Sequence, residues 1–314
     1  MKAGRQTTLG ARATVSGVGV HSGLPATLTI HPADAGTGIV FVRLDSDGRP
    51  EREIRAHASY VTATELATVL GDDDSGPCVS TIEHVMATLC GLGVDNAIVE
   101  IDGAEAPIMD GSAVAFVQAI DQAGIVALPE ARRYTKVLKP IRVAKGDAYG
   151  ELTPYDRGFR VDVEIDFPHP MIGKQAIKLE VEAATFRREV ARARTFGFMK
   201  DVSKLWSAGY ALGASLENTV VMADERLLNP EGLRYADEFV RHKALDAIGD
   251  LALMGTPILG AYKSVRGGHK LNHAVLCALI ADPSAWTVVE ARPSRRGHAD
   301  VAAGLVAPAY RAEH

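Results

Sequence analysis

Apolar and polar residues alternate with period two in "ATLTIHP" (26–32), "GIVFVRL" (38–44) and "REIRAHA" (52–58). Alternation of this kind predicts strands of an antiparallel sheet. The pattern then changes to a helical one in "STIEHVMATLCGL" (80–92), where Ser80 followed three residues later by Glu83 has the form of a capping box. A strand, "NAIVEID" (96–102), and a second helix, "SAVAFVQAIDQAG" (112–124), come next, and Gly124 is placed to cap that helix. Proline and charge interrupt the pattern in "VALPEARRYTK" (126–136), where we place a boundary between a first domain, 1–128, and a second, 129–290.

The second half repeats the plan. Strands are expected at "KPIRVAK" (139–145), "ELTPY" (151–155), "FRVDVEIDF" (159–167) and "QAIKLEVE" (175–182). After a mixed stretch (193–213) come a helix, "EFVRHKALDAIGDLALM" (238–254), a strand, "ILGAYKSV" (258–265), and a helix, "NHAVLCALIA" (272–281). Each half thus runs sheet, helix, strand, helix. The first helices of the two halves align on "IEHVMATLCGL" and "VRHKALDAIGDL", with His84 over His242 and Gly91 over Gly249. The expected fold class is α+β: two similar sheet-plus-helix domains, with both histidines brought to one cleft between them. Residues 291–314 are small, basic and weakly periodic, and are expected to be a disordered tail.

Bulk properties narrow the functional classes. At ~100–200 residues per domain, a chain of 314 residues suits two domains. A formal net charge of -5 gives no reason to expect nucleic acid or an anionic membrane as a partner. Three scattered cysteines, Cys78, Cys90 and Cys277, argue against a disulfide framework and a thiolate metal site and suit a reducing compartment. No signal-peptide core and no apolar run of ~18 residues is visible. A cytoplasmic protein without stable membrane insertion is expected.

The stretch "HKALDAIGD" (242–250) carries the candidate chemistry. On a helix, His242, Asp246 and Asp250 share one face a turn apart. Such a stripe is most often a solvated face. It also has the spacing of two metal ligands from one helix, to which His84 would add a third. Catalytic zinc commonly takes three protein ligands and keeps one position open. Glu83, beside His84, either closes the capping box or takes a proton from the metal-activated water. His269, in "GGHKLNH" (267–273), reads as a loop histidine whose ordinary pKa suits a general acid; His273 reads as structural. "GVGVHSG" (17–23) is followed by no βαβ unit and is a poor nucleotide loop, and "DDD" (72–74) reads as an exposed acidic loop.

Three long blocks, "STIEHVMATLCGLGVDNAIVEIDGAEAPIMDGSA" (80–113), "ARTFGFMKDV" (193–202) and "DEFVRHKALDAIGDL" (237–251), closely resemble the UDP-3-O-acyl-N-acetylglucosamine deacetylases, the zinc-dependent hydrolases of bacterial lipid A biosynthesis. The resemblance runs from "GVGVHSG" to "GGHKLNH". It implies hydrolysis of the N-acetyl group of UDP-3-O-(3-hydroxyacyl)-N-acetylglucosamine to give acetate and a free amine. It implies Zn²⁺, with Fe²⁺ as the alternative in the cell, on His84, His242 and Asp246. It further implies Glu83 as general base, His269 as general acid with Asp250 beside it, and Thr195 at the oxyanion. Lys243, Phe167, Phe196 and Gly268 are implied to contact substrate, with Lys243 near the phosphates and Phe167 near the uridine. A βαβ insert near 196–222 is implied to form the acyl passage, and a monomer is expected. Two rivals stand beside this: a metallo-amidase acting on a peptide or another amino sugar, and a nucleotide-sugar binding module with a closed, structural zinc site.

Overall fold

The alternation in "FRVDVEIDF" becomes the strand Phe159–Phe167, in which Phe159, Val161, Val163 and Ile165 point inward. This is seen in a computed structural model that describes residues 4–71 and 76–291. The predicted tail beyond residue 291 and the acidic loop Asp72–Asp74 lie outside the described residues.

Two sheets have the same strand plan. In the first half the order is Ala13–Val18, Pro25–Pro32, Ala97–Ile101, Ile39–Leu44, Pro50–Arg55. The central strand Ala97–Ile101 runs antiparallel to Pro25–Pro32 and parallel to Ile39–Leu44. In the second half Ile141–Lys145, Ala148–Thr153, Ile258–Val265, Phe159–Phe167 and Gly173–Glu180 take the corresponding places. The central Ile258–Val265 is again antiparallel to one of these neighbours and parallel to the other, and its first residues also pair in parallel with Arg133–Val137. A parallel pair needs a long crossover between its strands, and in each half that crossover carries the first helix. The duplication suggested by the aligned histidines is therefore present in the topology.

Six α-helices are described: α1 (Glu83–Leu92), α2 (Val114–Ala123), the single turn α3 (Ala183–Thr185), α4 (Val202–Ser207), α5 (Glu238–Ala252) and α6 (His269–Ile280). α1 and α5 pack on each other, while α5 also packs on the strands Phe159–Phe167 and Gly173–Glu180. The two helices thus form an inner layer of the molecule. Every residue of α1 except Cys90 is buried, as is every residue of α5 except Arg241, Lys243 and Ala252. A helix covered on all sides has no solvated face, so the stripe on α5 is interior. Asp246 and Asp250 are each 2% exposed and His242 3%.

"GVGVHSG" runs from the strand Ala13–Val18 into the turn that leads to its antiparallel partner Pro25–Pro32. The break at 126–136 is largely extended: Ile125–Ala131 pairs with Arg5–Leu9, and Arg133–Val137 joins the second sheet. The mixed stretch contains Phe196–Phe198 and α4, and the strand Val220–Ala223 that follows it pairs in parallel with Phe196–Phe198.

Candidate metal centre and active site

The site begins where α1 crosses α5. Gly249 faces the backbone of Glu83 so closely that a Cβ there would overlap the Glu83 carbonyl. The absence of a side chain lets the two helices approach, and His84 and His242 meet edge to face with ring centroids 5.0 Å apart. Gly91, at the matching place on α1, has the Phe186 ring against it.

His242 Nε2 lies 3.3 Å from Asp246 Oδ1, and His84 Nε2 lies 3.9 Å from the same oxygen. One ligand atom from each residue falls within 4.8 Å of the others, in the one such group of three found among the described residues. Asp246 Oδ1 is buried and has no hydrogen-bond partner. A buried carboxylate oxygen without a donor is costly, and a cation between the three groups would satisfy it. Burial, with His242 adding to it, lowers the His84 pKa to about 3, and burial lowers that of His242. Both are therefore neutral imidazoles, the form that binds metal. His242 Nδ1 lies 3.0 Å from the Ala193 carbonyl, which accepts its proton and leaves Nε2 free to ligate. Burial opposes ionisation of Asp246, but His242, Lys243 and His269 outweigh it and hold the carboxyl well below its ordinary range.

Lys243 donates from Nζ to Asp246 Oδ2 at 2.9 Å. The carboxylate is thus divided, one oxygen for the ammonium and one for the metal position. The expected phosphate contact of Lys243 has to be made from this ion pair, and its Nζ also lies 5.7 Å from the centroid of the Phe196 ring.

Glu83 is the first residue of α1, and no side chain caps that helix. The capping box is therefore absent: the Ser80 hydroxyl donates instead to the Ala104 carbonyl at 3.1 Å. Thr81 takes a positive φ of 58° just before the helix and turns Ser80 away from it. The Glu83 carboxylate accepts the Thr68 backbone N–H at 3.1 Å and is 4% exposed. Burial raises its pKa to about 7. A carboxyl poised near neutrality is suited to accept and release a proton.

His269 does not lie in a loop. It opens α6, with Gly268 as the extended N-cap residue. Its Nδ1 donates to Asp250 Oδ2 at 2.9 Å, and its Nε2 lies 4.0 Å from Asp246 Oδ2. Burial disfavours the imidazolium, yet the Asp250 charge and hydrogen bond outweigh burial and raise the pKa to about 10. His273 Nε2 lies 3.1 Å from the Ala58 carbonyl and 3.3 Å from Cys277 Sγ.

Two residues in this network were not anticipated. Thr68 donates its hydroxyl to Asp250 Oδ1 at 2.6 Å, and Asn272 donates to Asp250 Oδ2 at 2.8 Å while accepting from Tyr262 at 2.7 Å. Asp250 is thus held by three donors. An aromatic wall stands beside the triad. Phe196 packs on Phe239 at 5.0 Å, on Phe167 at 5.6 Å and near the His242 ring at 6.4 Å. Phe198 joins it at 6.0 Å from Phe167. Thr195 is fixed by its backbone, donating to the Gly111 carbonyl and accepting from the Val220 N–H, both at 2.8 Å. No side-chain hydrogen bond ties up its hydroxyl among the described residues.

Two neutral imidazoles and a carboxylate around one point, with a buried glutamate and a cationic histidine alongside, define a metal-dependent hydrolase. Residues 6–281 match the family described as UDP-3-O-acyl N-acetylglycosamine deacetylase (LpxC), and the chain belongs to that family. It is 50% identical over 287 residues to the UDP-3-O-acyl-N-acetylglucosamine deacetylases of Brucella ovis and Brucella abortus, covering 91% of this chain and 99% of each relative. The Brucella melitensis protein of that name is 49% identical over the same length.

Proposed function

We propose that this chain hydrolyses the acetamide of UDP-3-O-(3-hydroxyacyl)-N-acetylglucosamine, releasing acetate and the free glucosamine amine in lipid A biosynthesis. His84, His242 and Asp246 would hold Zn²⁺; the same two nitrogens and one oxygen would also accept Fe²⁺. The observation that carries this reading is the buried, partnerless Asp246 Oδ1 facing two neutral imidazoles beside Glu83, in a member of this family. Three protein ligands are the number of an open catalytic site rather than a closed structural one, which disfavours the binding-module reading. Zn²⁺ supplies Lewis-acid polarisation of the amide carbonyl and of the attacking water.

The chain's own groups do the rest. Glu83 accepts the proton that the attacking water loses. The Thr195 hydroxyl donates to the oxygen that becomes negative at the tetrahedral stage. His269 gives the proton on Nε2 to the departing nitrogen, because an amide nitrogen does not leave as an anion. Asp250 keeps His269 cationic and fixes the tautomer through Nδ1. Phe167 and Phe196 form an apolar wall against which the uridine side of the substrate packs. Gly268, with open space where a Cβ would be, gives the sugar room beside His269. Lys243 offers its ammonium to the phosphates from its place on Asp246. The parallel strands and helix of 196–222 would line the acyl passage.

The expected boundary at 128/129 falls inside the strand Ile125–Ala131, which pairs with Arg5–Leu9, so we further propose a domain boundary just after Ala131, a cytoplasmic location and a monomer. The three cysteines are free, and no described helix is long and apolar enough to cross a membrane. The deciding experiment measures metal content by elemental analysis together with acetate release from UDP-3-O-acyl-N-acetylglucosamine and from its counterpart lacking the acyl chain. One metal per chain and strong dependence on the acyl group are expected. Equal turnover of both substrates, or preference for a peptide amide, overturns the substrate assignment, and the metal found decides between Zn²⁺ and Fe²⁺.

A further inference from the structure

Thr68 touches both sides of the proposed proton traffic. Its backbone N–H donates to Glu83 Oε2 at 3.1 Å, and its hydroxyl donates to Asp250 Oδ1 at 2.6 Å. It is 1% exposed. It stands at the end of the short loop between the strands Val61–Ala63 and Val69–Leu70, next in the chain to a strand that pairs antiparallel across that loop. Glu83 begins α1 in the first domain; Asp250 lies near the end of α5, and His269 begins α6, in the second. One residue of the first domain therefore fixes the spacing between a carboxylate on its own side and the Asp250–His269 pair on the other.

We propose that Thr68 is a positioning residue for the deacetylation, acting through Asp250 on the orientation of His269 and through its backbone on Glu83; this rests on the function proposed above. The geometry gives the reason. Asp250 has two oxygens and three donors. Asn272 and His269 share Oδ2, so among the described residues Oδ1 is fixed by the Thr68 hydroxyl alone. Without that hydroxyl the buried Oδ1 has no partner, and the carboxylate is free to rotate about its Cβ–Cγ bond and misdirect the imidazole. Outer hydrogen bonds of this kind typically change activity by about 10–100-fold when removed. The Thr68 side chain reaches the site only through Asp250, and its backbone N–H only through the Glu83 carboxylate.

Three substitutions separate the hydroxyl from the rest of the side chain. Thr68→Val keeps the shape and the backbone N–H and removes the hydroxyl. Thr68→Ser keeps the hydroxyl and removes the methyl. Thr68→Ala, which removes the hydroxyl without setting a methyl against the Asp250 carboxylate, takes the place of Val if that variant does not fold. With the metal-loaded enzyme and UDP-3-O-acyl-N-acetylglucosamine, Val is expected to lower kcat about tenfold or more, leaving KM and metal content close to wild type. Ser is expected to recover most of that loss. In an Asp250→Asn background, Thr68→Val should add little, because the route through Asp250 is already broken. The His269 Nδ1–H resonance, observed by NMR, should move in Val and stay in Ser. Wild-type kcat in Val, an equal loss in Ser, or a full additional loss on Asp250→Asn overturns the proposal. Absence of acetate release from the wild-type enzyme would instead overturn the functional reading beneath it.

Discussion

Replacing Asp250 by Asn is the sharpest perturbation of the proposed acid. The side chain keeps its shape and loses its charge. Asp250 Oδ2 lies 2.9 Å from His269 Nδ1, and its charge is the main influence opposing the burial of that imidazole. With charge centres about 4 Å apart and an effective dielectric near 20, the pair is worth about 4 kcal/mol. At 1.36 kcal/mol per pKa unit this is about three units. Asp246 and Glu83 favour the cation in wild type and variant alike, so about three units is the expected fall. The sign follows directly: an imidazolium deprived of its carboxylate gives up its proton at lower pH. An acid must be protonated to act, so the basic limb of kcat/KM against pH moves down by that amount. A bound metal cation lowers the limb in wild type and variant alike, so the displacement between them is the quantity to read. The assay is acetate release at saturating metal from about pH 5 to 10.5. A basic limb that stays within about half a unit of wild type, or that rises, refutes the pairing of Asp250 with His269.

Other outcomes follow from the same geometry. Substituting Ala for His84, His242 or Asp246 should lower metal content and acetate release together; an inactive His84→Ala protein that retains full metal refutes the ligand assignment. Glu83→Gln should bind metal normally and lose about 10²–10⁴ in kcat, because no capping box is at stake and only the proton acceptor is removed; unchanged turnover would make Glu83 a structural residue. Gly249→Ala should press α1 away from α5, lowering stability by about 1–3 kcal/mol and weakening metal retention, since the displaced backbone is that of Glu83, next to His84. Thermal melting and metal titration of that variant check both effects.

Alternation made much of the fold legible. "FRVDVEIDF" and "ILGAYKSV" are strands over the full predicted spans, because four alternate residues of each are buried on one face. The strands Arg5–Leu9, Ile125–Ala131 and Trp286–Glu290 escaped notice. They are half-exposed, so little separates their two faces in polarity. The candidate triad was legible as spacing on one helix plus a histidine aligned with it. Its burial was not, because a polar stripe that faces a second helix looks in sequence like one that faces water. The capping reading of Glu83 failed for a local reason, the positive φ at Thr81. Thr68 and Asn272 carried no sequence signal at all, since each acquires its part in the site only through a contact with Asp250 across the fold.

The duplicated topology has a consequence for how such a site could arise. Aligning His84 with His242 sets Thr88 against Asp246, Leu92 against Asp250, and Glu83 against Arg241. Two identical copies of the α5 half, related by a true dyad, would offer two histidines and two aspartates to a metal on the axis. That is a full tetrahedral shell with no place for water, a structural centre. In the present chain the second aspartate is a threonine, and the Thr88 hydroxyl turns back to the His84 carbonyl of its own helix at 2.8 Å. Without a second carboxylate there, a metal held by His84, His242 and Asp246 would keep a place for water, with Glu83 beside it. The difference between the two halves at Thr88 and Asp246, rather than their likeness, would leave such a site open to water.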